Sequence, residues 1–261
     1  MQDTLSQQAI TQRLNTNLIG RQVLYYPSLP STNDTAAAEA RRGAAEGLVV
    51  VADEQTVGKG RRRRSWLSPK GAIAFSVVLH PEKDVLPSLI MMASLAVVGA
   101  IRAVTGLEAG IKWPNDIMVS GKKVCGILVE TEMKGNRVAH AITGIGINVN
   151  LEAADFPASL PLATSLSRES GRAVSRLDLL ADIITRLDEL YPVLQSGGSV
   201  YEAWRDSLIT LGREVRVISG DDIQNGVAES VNRDGSLNLR LPDGNLHRVV
   251  AVDVSLREAA D

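Results

Sequence analysis

The fold class that the sequence predicts is α+β: a large domain over residues 1–211 built on a mixed or antiparallel sheet, and a small all-β domain over residues 212–261. Three observations predict it. Up to Leu211, strand-length runs are interspersed with longer helix-length segments, and neighbouring strands are joined by hairpin turns, which a purely parallel sheet does not allow. From Val215 onward there are only short strand-like runs, spaced about ten residues apart by turn signals, as in a small barrel. The chain has 261 residues, 44% apolar and 22% charged, which is enough for a core without disulfides and excludes disorder or a fibrous architecture.

The elements follow in order. The first stretch is polar with faint helical patterning. Val23-Leu24-Tyr25-Tyr26 reads as a strand closed by Pro27 and Pro30. Ser31 or Thr32 is an N-cap for a helix over 35–42, with Gly43 as its stop. An apolar strand over 48–52 leads to a loop over 55–71, and a second strand occupies 72–79. The longest helix spans 86–105. It is apolar nearly all round, and no charge falls between Val85 and Ile101. Pro87, Gly99 and two serines leave it short of the roughly 20 predominantly apolar residues of a membrane span, so a buried helix is expected. Short strands at 110–113 and 116–119 flank Pro114, the turn Ser120-Gly121 feeds a strand over 124–132, and another strand covers 139–149. Helices are expected over 176–194 and 200–210. Turns at Ser219-Gly220-Asp221, Asn232-Arg233-Asp234-Gly235 and Pro242-Asp243-Gly244 punctuate the small domain. Its size is marginal for independent stability, so it is expected to dock on the large one.

Charge narrows the function. With 28 basic and 30 acidic residues the net charge is −2, not the basic excess of a general nucleic-acid binder. Yet Lys59, Arg61, Arg62, Arg63 and Arg64 crowd into one loop, a pattern suited to a small anion. The single cysteine, Cys125, cannot pair internally, and Met1-Gln2-Asp3-Thr4 lacks the basic and apolar parts of a secretory signal; both point to a cytoplasmic location.

Four segments carry chemistry. In Gly58-Lys59-Gly60-Arg61-Arg62-Arg63-Arg64-Ser65-Trp66, glycines permit close backbone approach, guanidinium groups grip phosphate or carboxylate, and Trp66 offers a lid or stacking face. The alternative for this loop is a solvated basic patch. Lys112-Trp113-Pro114-Asn115-Asp116 brings a cation, an amide and a carboxylate together, or is merely a strand end with a turn. Lys122-Lys123-Val124-Cys125-Gly126-Ile127-Leu128-Val129-Glu130 places lysines at the mouth of a buried strand whose Gly126 permits close approach, where a solvated turn is the alternative. Gly144-Ile145-Gly146-Ile147-Asn148 puts glycines inside an apolar strand, marking a bulge or a ligand near the backbone, with a plain core strand as the default alternative. Cys125 lacks a neighbouring histidine and reads as packing rather than nucleophile.

Together, in this order, these segments and Ser31-Thr32-Asn33 and Gln55 closely resemble the biotin–protein ligases, also called biotin–[acetyl-CoA-carboxylase] ligases, from about Tyr25 to Leu256. The resemblance implies a large domain like the class II aminoacyl-tRNA synthetases and a C-terminal SH3-like β-barrel. It implies ATP and biotin as substrates, Mg2+ on the phosphates, and a biotin carboxyl carrier domain as partner, with no nucleic acid and no membrane; a homodimer through the large-domain sheet is compatible with it. Biotinyl-5′-AMP forms first, and a carrier lysine then takes the biotinyl group. By the same resemblance, Arg61, Lys123, Lys112 and Asp116 are the catalytic candidates. Ser31, Thr32, Asn33, Gln55, Lys59, Gly60, Arg61, Lys123 and Gly126 would face biotin, and Arg61, Arg62, Arg64, Trp66, Lys112, Asn115 and Asn148 would face ATP.

The family loop usually reads Gly-Arg-Gly-Arg-x-Gly-Arg-x-Trp, so Lys59 and Arg63 depart from it. Lys59 keeps the charge but not the planar fork, and a β-carbon at Arg63 is expected to restrict the loop. The stretch before Ser31 is too short for the DNA-binding domain some relatives carry, so no repressor activity is expected. The alternatives are a lipoate–protein ligase, whose arginine-rich Ser-Gly-Gly-Gly signature is absent, a nucleic-acid regulator using the arginine run, and a catalytically silent partner-binding protein.

Overall fold

Strand residues alternate between two apolar layers, and that alternation organises the large domain. In β3 (Ile73–Leu79), Ile73, Phe75, Val77 and Leu79 enter the main core, while Val78 packs in a smaller cluster on the opposite face. The structure is a computed structural model that describes residues 4–219, 222–251 and 254–258. The expected turn at Ser219-Gly220-Asp221 falls partly on positions outside the described residues, as do the first three residues of the chain.

The large sheet contains β1 (Val23–Tyr26), β2 (Val49–Ala52), β3, β4 (Ala109–Lys112), β5 (Asp116–Val119), β6 (Lys122–Lys134) and β7 (Arg137–Ile147), in the order β1-β2-β3-β7-β6-β5-β4. Only β1 and β2 pair in parallel; every other neighbour is antiparallel, so the sheet is mixed, as expected. The crossover between β1 and β2 carries α2 (Thr32–Arg41), which covers the smaller apolar face.

On the other face lie α3 (Leu86–Thr105) and α5 (Arg176–Gln195), which pack on each other. Among the described residues α3 is the one helix long and apolar enough to cross a membrane. Its Leu89, Met92, Val97 and Ile101 are instead buried in the main core, as the sequence implied. The N-terminal α1 (Gln7–Arg13), capped by Ser6, buries only Ile10, which is why its periodicity is faint. Its connection to β1 is held by Asp188 of α5, whose buried carboxylate accepts from the backbone N–H groups of Asn17, Leu18 and Ile19 at 2.7–2.8 Å.

Three boundaries differ from expectation. Ser31 is the N-cap, so α2 starts at Thr32 and places Asn33 inside its first turn. The β6–β7 hairpin runs on to Lys134 and Arg137, beyond the apolar alternation, because its backbone ladder continues where the faces are exposed. The helix expected over 200–210 ends early: α6 spans Tyr201–Asp206, and the following backbone turns to hydrogen-bond the edge strand β4 through Ser207 and Ile209. A short helix, α4 (Leu166–Ser170), was not apparent in the sequence.

The C-terminal unit is a small antiparallel SH3-like sheet of β8 (Glu214–Ser219), β9 (Asp222–Val231), β10 (Leu237–Arg240), β11 (Leu246–Val249) and β12 (Val254–Glu258), ordered β11-β10-β9-β8-β12. It is docked rather than free. Val215, Val217, Ala228, Leu237 and Leu239 join the main core. Trp113 Nε1 donates to the Gly235 carbonyl at 2.9 Å, and the Tyr201 hydroxyl donates to the Val231 carbonyl at 2.6 Å. Trp113→Phe keeps an aromatic ring but leaves that carbonyl without its indole donor. The expected loss is about 1–3 kcal/mol of unfolding free energy, read as a lower denaturant midpoint at constant slope.

Candidate active site

Sheet register draws the separated motifs into one row. Ala74 pairs with Gly146, Gly146 with Gly126, Gly126 with Asp116, and Asp116 with Lys112. Residues directly opposite in antiparallel strands share a face, so Lys112, Asp116, Gly126 and Gly146 all face the same side, the side that carries α2. A cavity of about 710 Å³ opens there, within the range of small-molecule sites.

Glycine is required in this floor because side chains lie directly on it. A β-carbon at Gly146 would come within 2.3 Å of Trp66 Nε1, and one at Gly144 within 1.9 Å of Asn33 Oδ1. At Gly126 the Trp66 ring would be 3.1 Å away. The glycine floor thus receives the indole, and Trp66 covers the backbone of β6 and β7 that sequence reasoning had assigned to direct ligand contact. Lys123 Nζ lies 5.3 Å from the centroid of that ring, a cation–π distance.

The lining is strongly cationic. Lys59, Arg61, Arg62, Arg64, Lys112 and Lys123 border the cavity, and Asp116 is the one carboxylate bordering it among the described residues. Asp116 is ion-paired with Lys123 at 2.5 Å. Arg61 donates to Asn115 Oδ1 at 2.8 Å, and Asn115 is itself fixed by its Nδ2 donating to the Ile127 carbonyl at 2.9 Å. A second Arg61 donor reaches the Ala251 carbonyl of the C-terminal unit, and Arg62 reaches the Ile218 carbonyl at 3.4 Å. The arginine loop therefore touches both units. Lys59 pairs with Asp34, and this hydrogen bond raises its pKa above the ordinary lysine value.

The loop geometry corrects one expectation. The left-handed backbone lies at Arg62, with φ 57° and ψ 38°, not at Arg63. The conformational cost of a β-carbon therefore falls one residue before the departure from the family pattern.

At the far end of the cavity sit Ser31, Thr32, Asn33 and Gln55. Gln55 Oε1 accepts from Thr32 N at 2.8 Å and from the Thr32 hydroxyl at 3.1 Å. Asn148 also borders the cavity; its Nδ2 donates to the Thr164 carbonyl at 3.0 Å. Every candidate named from the sequence, from Ser31 to Asn148, thus lines this one cavity. Sequence reasoning missed the wall formed by Phe156, Ser159, Leu160, Pro161, Leu162 and Ala163. It is tied to Lys123, whose backbone N–H donates to the Leu162 carbonyl and whose carbonyl accepts from Thr164. Its one signal was Leu160 and Leu162 in a proline-bearing loop, both of which remain exposed.

Among the described residues no three His, Cys, Asp or Glu side chains gather as a metal site. Asp116, the carboxylate on the lining, is ion-paired with Lys123, and the Asn115 amide oxygen accepts from Arg61, so a divalent ion here would take most of its ligands from phosphates and water.

Comparison with known proteins places this architecture. Residues 25–148 match the biotin/lipoate A/B protein ligase family, and residues 210–257 match the biotin protein ligase C-terminal domain. The chain is 34% identical over 258 residues to the bifunctional ligase/repressor BirA of Bacillus subtilis, covering 97% of this chain and 79% of that protein. It is 35% identical to the biotin–[acetyl-CoA-carboxylase] ligase of Paracoccus denitrificans, covering 81% of this chain and 92% of that one. Its fold superposes on the biotin protein ligase from Aquifex aeolicus in complex with biotin and ATP with a TM-score of 0.79, at 27% identity and over 92% of this chain and all of that one. The chain belongs to the biotin protein ligase family.

Cys125 is fully buried in the strand beneath the site, and burial pushes its thiol far above the usual range. The native protein should show no reaction with a thiol reagent at pH 8, and one thiol should appear on unfolding. Rapid labelling of the native protein would contradict this assignment.

Proposed function

We propose that this chain activates biotin with ATP as biotinyl-5′-AMP and transfers the biotinyl group to a specific lysine of a biotin carboxyl carrier domain. The observation that carries the reading is the collection of six cationic side chains against one carboxylate around a single cavity, in a chain of this family. The first step brings two anions together. A biotin carboxylate oxygen attacks the α-phosphorus, the new O–P bond forms, and pyrophosphate leaves. Preorganised cations lower that barrier because they are already aimed where charge accumulates. Arg61, held by Asn115 on one side and the C-terminal unit on the other, and Lys123 are placed to hold the carboxylate and α-phosphate. Lys112, Arg62 and Arg64 face the remaining phosphates, and Trp66 and Asn148 the adenosine. Mg2+ bound to the phosphates would supply further charge neutralisation, held chiefly by the phosphates and water.

The second step needs a neutral amine, although a free lysine with pKa about 10.4 is almost wholly protonated at neutral pH. Asp116 is the carboxylate at the site. Ligand anions compete for Lys123 and loosen the Asp116–Lys123 pair, which leaves Asp116 able to take the proton released as the amide forms and AMP departs. The adenylate must be kept from water, and the loop over 58–66 serves as the lid. The division at Leu211/Gly212 separates the unit that builds this cavity from the SH3-like unit that steadies Arg61 and Arg62. The lone buried thiol suits a reducing, cytoplasmic setting.

Biotin-dependent ATP–pyrophosphate exchange tests the reading, with lipoate as the control that would reveal the sister activity. Arg61→Ala and Lys123→Ala should each slow exchange by about 10²-fold or more, the scale of losing a transition-state charge partner. Near-unchanged rates in both would remove these assignments. Limited proteolysis should cut within 58–66 in the free protein and be suppressed by biotin with ATP; equal cutting in both states would argue against a closing lid.

A further inference from the structure

Ser76 and Glu130 lie outside the cavity lining, yet they are wired to it. Ser76 is fully buried on β3, two residues along from Ala74 and opposite Gly144. Its Oγ lies 2.6 Å from Asn33 Oδ1 and 2.8 Å from Thr32 Oγ1. Asn33 Nδ2 in turn donates to Glu130 Oε2 at 2.6 Å. The run of oxygens is therefore Asn33 Oδ1, Ser76 Oγ, Thr32 Oγ1 and Gln55 Oε1, the last contact being 3.1 Å.

Counting protons shows what this wiring does. Three oxygen–oxygen contacts each call for one hydrogen, and only two hydroxyl hydrogens are available, from Ser76 and Thr32. Amide oxygens at both ends can only accept. The Asn33 end is an oxygen because Glu130, an ionised carboxylate, also only accepts and so draws the Asn33 NH2 to itself. The Gln55 end is an oxygen because it already accepts from Thr32 N. Were Asn33 turned over, its NH2 would donate to Ser76, Ser76 to Thr32 and Thr32 to Gln55, and every contact would be filled.

We infer that Glu130, acting through Asn33 and Ser76, keeps this wall of the cavity one proton short, so that it selects a ligand presenting N–H donors. Glu130 and Ser76 are positioning residues for the ureido ring of biotin; this rests on the function proposed above. The N–H of a cyclic urea supplies the missing hydrogen at Thr32 Oγ1 or Gln55 Oε1, whereas an oxygen at the same ring position meets an acceptor and is rejected.

The test uses substitutions that change polarity but not shape. Glu130 is exposed, so Glu130→Gln should not disturb folding, and an amide side chain there lets Asn33 turn over. Biotin-dependent ATP–pyrophosphate exchange in Glu130→Gln should show the KM for biotin raised about tenfold, with the KM for ATP unchanged. Preference for biotin over an analogue with one ureido N–H replaced by oxygen should narrow to within about threefold. The double variant Asn33→Asp with Glu130→Gln restores the original polarity, because the carboxylate introduced at position 33 only accepts and the amide introduced at position 130 donates to it. Its biotin KM and its preference should return to within about threefold of the unmodified protein. A Glu130→Gln protein with unchanged biotin KM and preference, or a double variant no better than the single one, would overturn the inference while leaving the proposed function standing. An unmodified protein without biotin-dependent exchange would overturn both.

Discussion

The site depends on one steric constraint: the close approach permitted by glycine where β6 and β7 cross the sheet. Gly126 and Gly146 stand opposite each other, and Gly144 lies two residues further along. With side chains at these three positions, neither the Trp66 indole nor the Asn33 amide could occupy its place. Both groups are contributed by parts of the chain distant in sequence, the loop after β2 and the first turn of α2. The backbone of two central strands thus serves as a flat surface on which the cavity is assembled, at the cost of the packing that side chains would have given.

From that surface the charges follow by register. Lys112, Asp116 and Gly126 come from three strands, and they share a row because antiparallel pairing sets them opposite one another. Asn115 then converts a strand end into a bracket, bonding the Ile127 carbonyl with its nitrogen and Arg61 with its oxygen. Trp113, between these polar residues, turns to the core and fastens the C-terminal unit through Gly235. A single five-residue segment therefore couples the cation-lined cavity to the docking of the small unit, and the Arg61 contact with Ala251 closes the same connection from the other side.

Much of this was legible in the sequence because it was written in local signals. Strand-length runs bounded by turn residues located β1, β2, β3 and β5, a long uncharged stretch located α3, and the four chemistry-bearing segments did converge on one cavity. The remainder was hidden for identifiable reasons. Ser76 touches the cavity only through other side chains, so nothing in its local sequence marks it; Glu130 closes the Lys122–Glu130 segment, but nothing local shows that it reaches Asn33. The wall over 156–163 has no periodicity, being held by backbone bonds to Lys123 rather than by a buried apolar face. The left-handed residue proved to be Arg62 because strain is set by the closure of the whole loop, from Gly58 to Trp66, and not by the residue that departs from a pattern. Trp113 was grouped with a binding motif when its indole belongs to the junction between units.

Net charge was the least informative global property, and physical scale explains why. At physiological ionic strength, exposed charges more than about 8 Å apart are largely screened from one another. An overall charge of −2 therefore averages over surfaces that do not feel each other. What a ligand meets is the local balance within one cavity, and there it is six cations against a carboxylate already paired with one of them. Such a cluster is costly without anions, since its members repel. The structure spreads part of that cost over the Asp34, Asp116, Asn115 and Ala251 acceptors, each engaged by a loop or strand cation. Each of these partners is internal to the chain and neutralises the cluster only in part, so the cavity keeps a positive balance although the chain as a whole is slightly acidic.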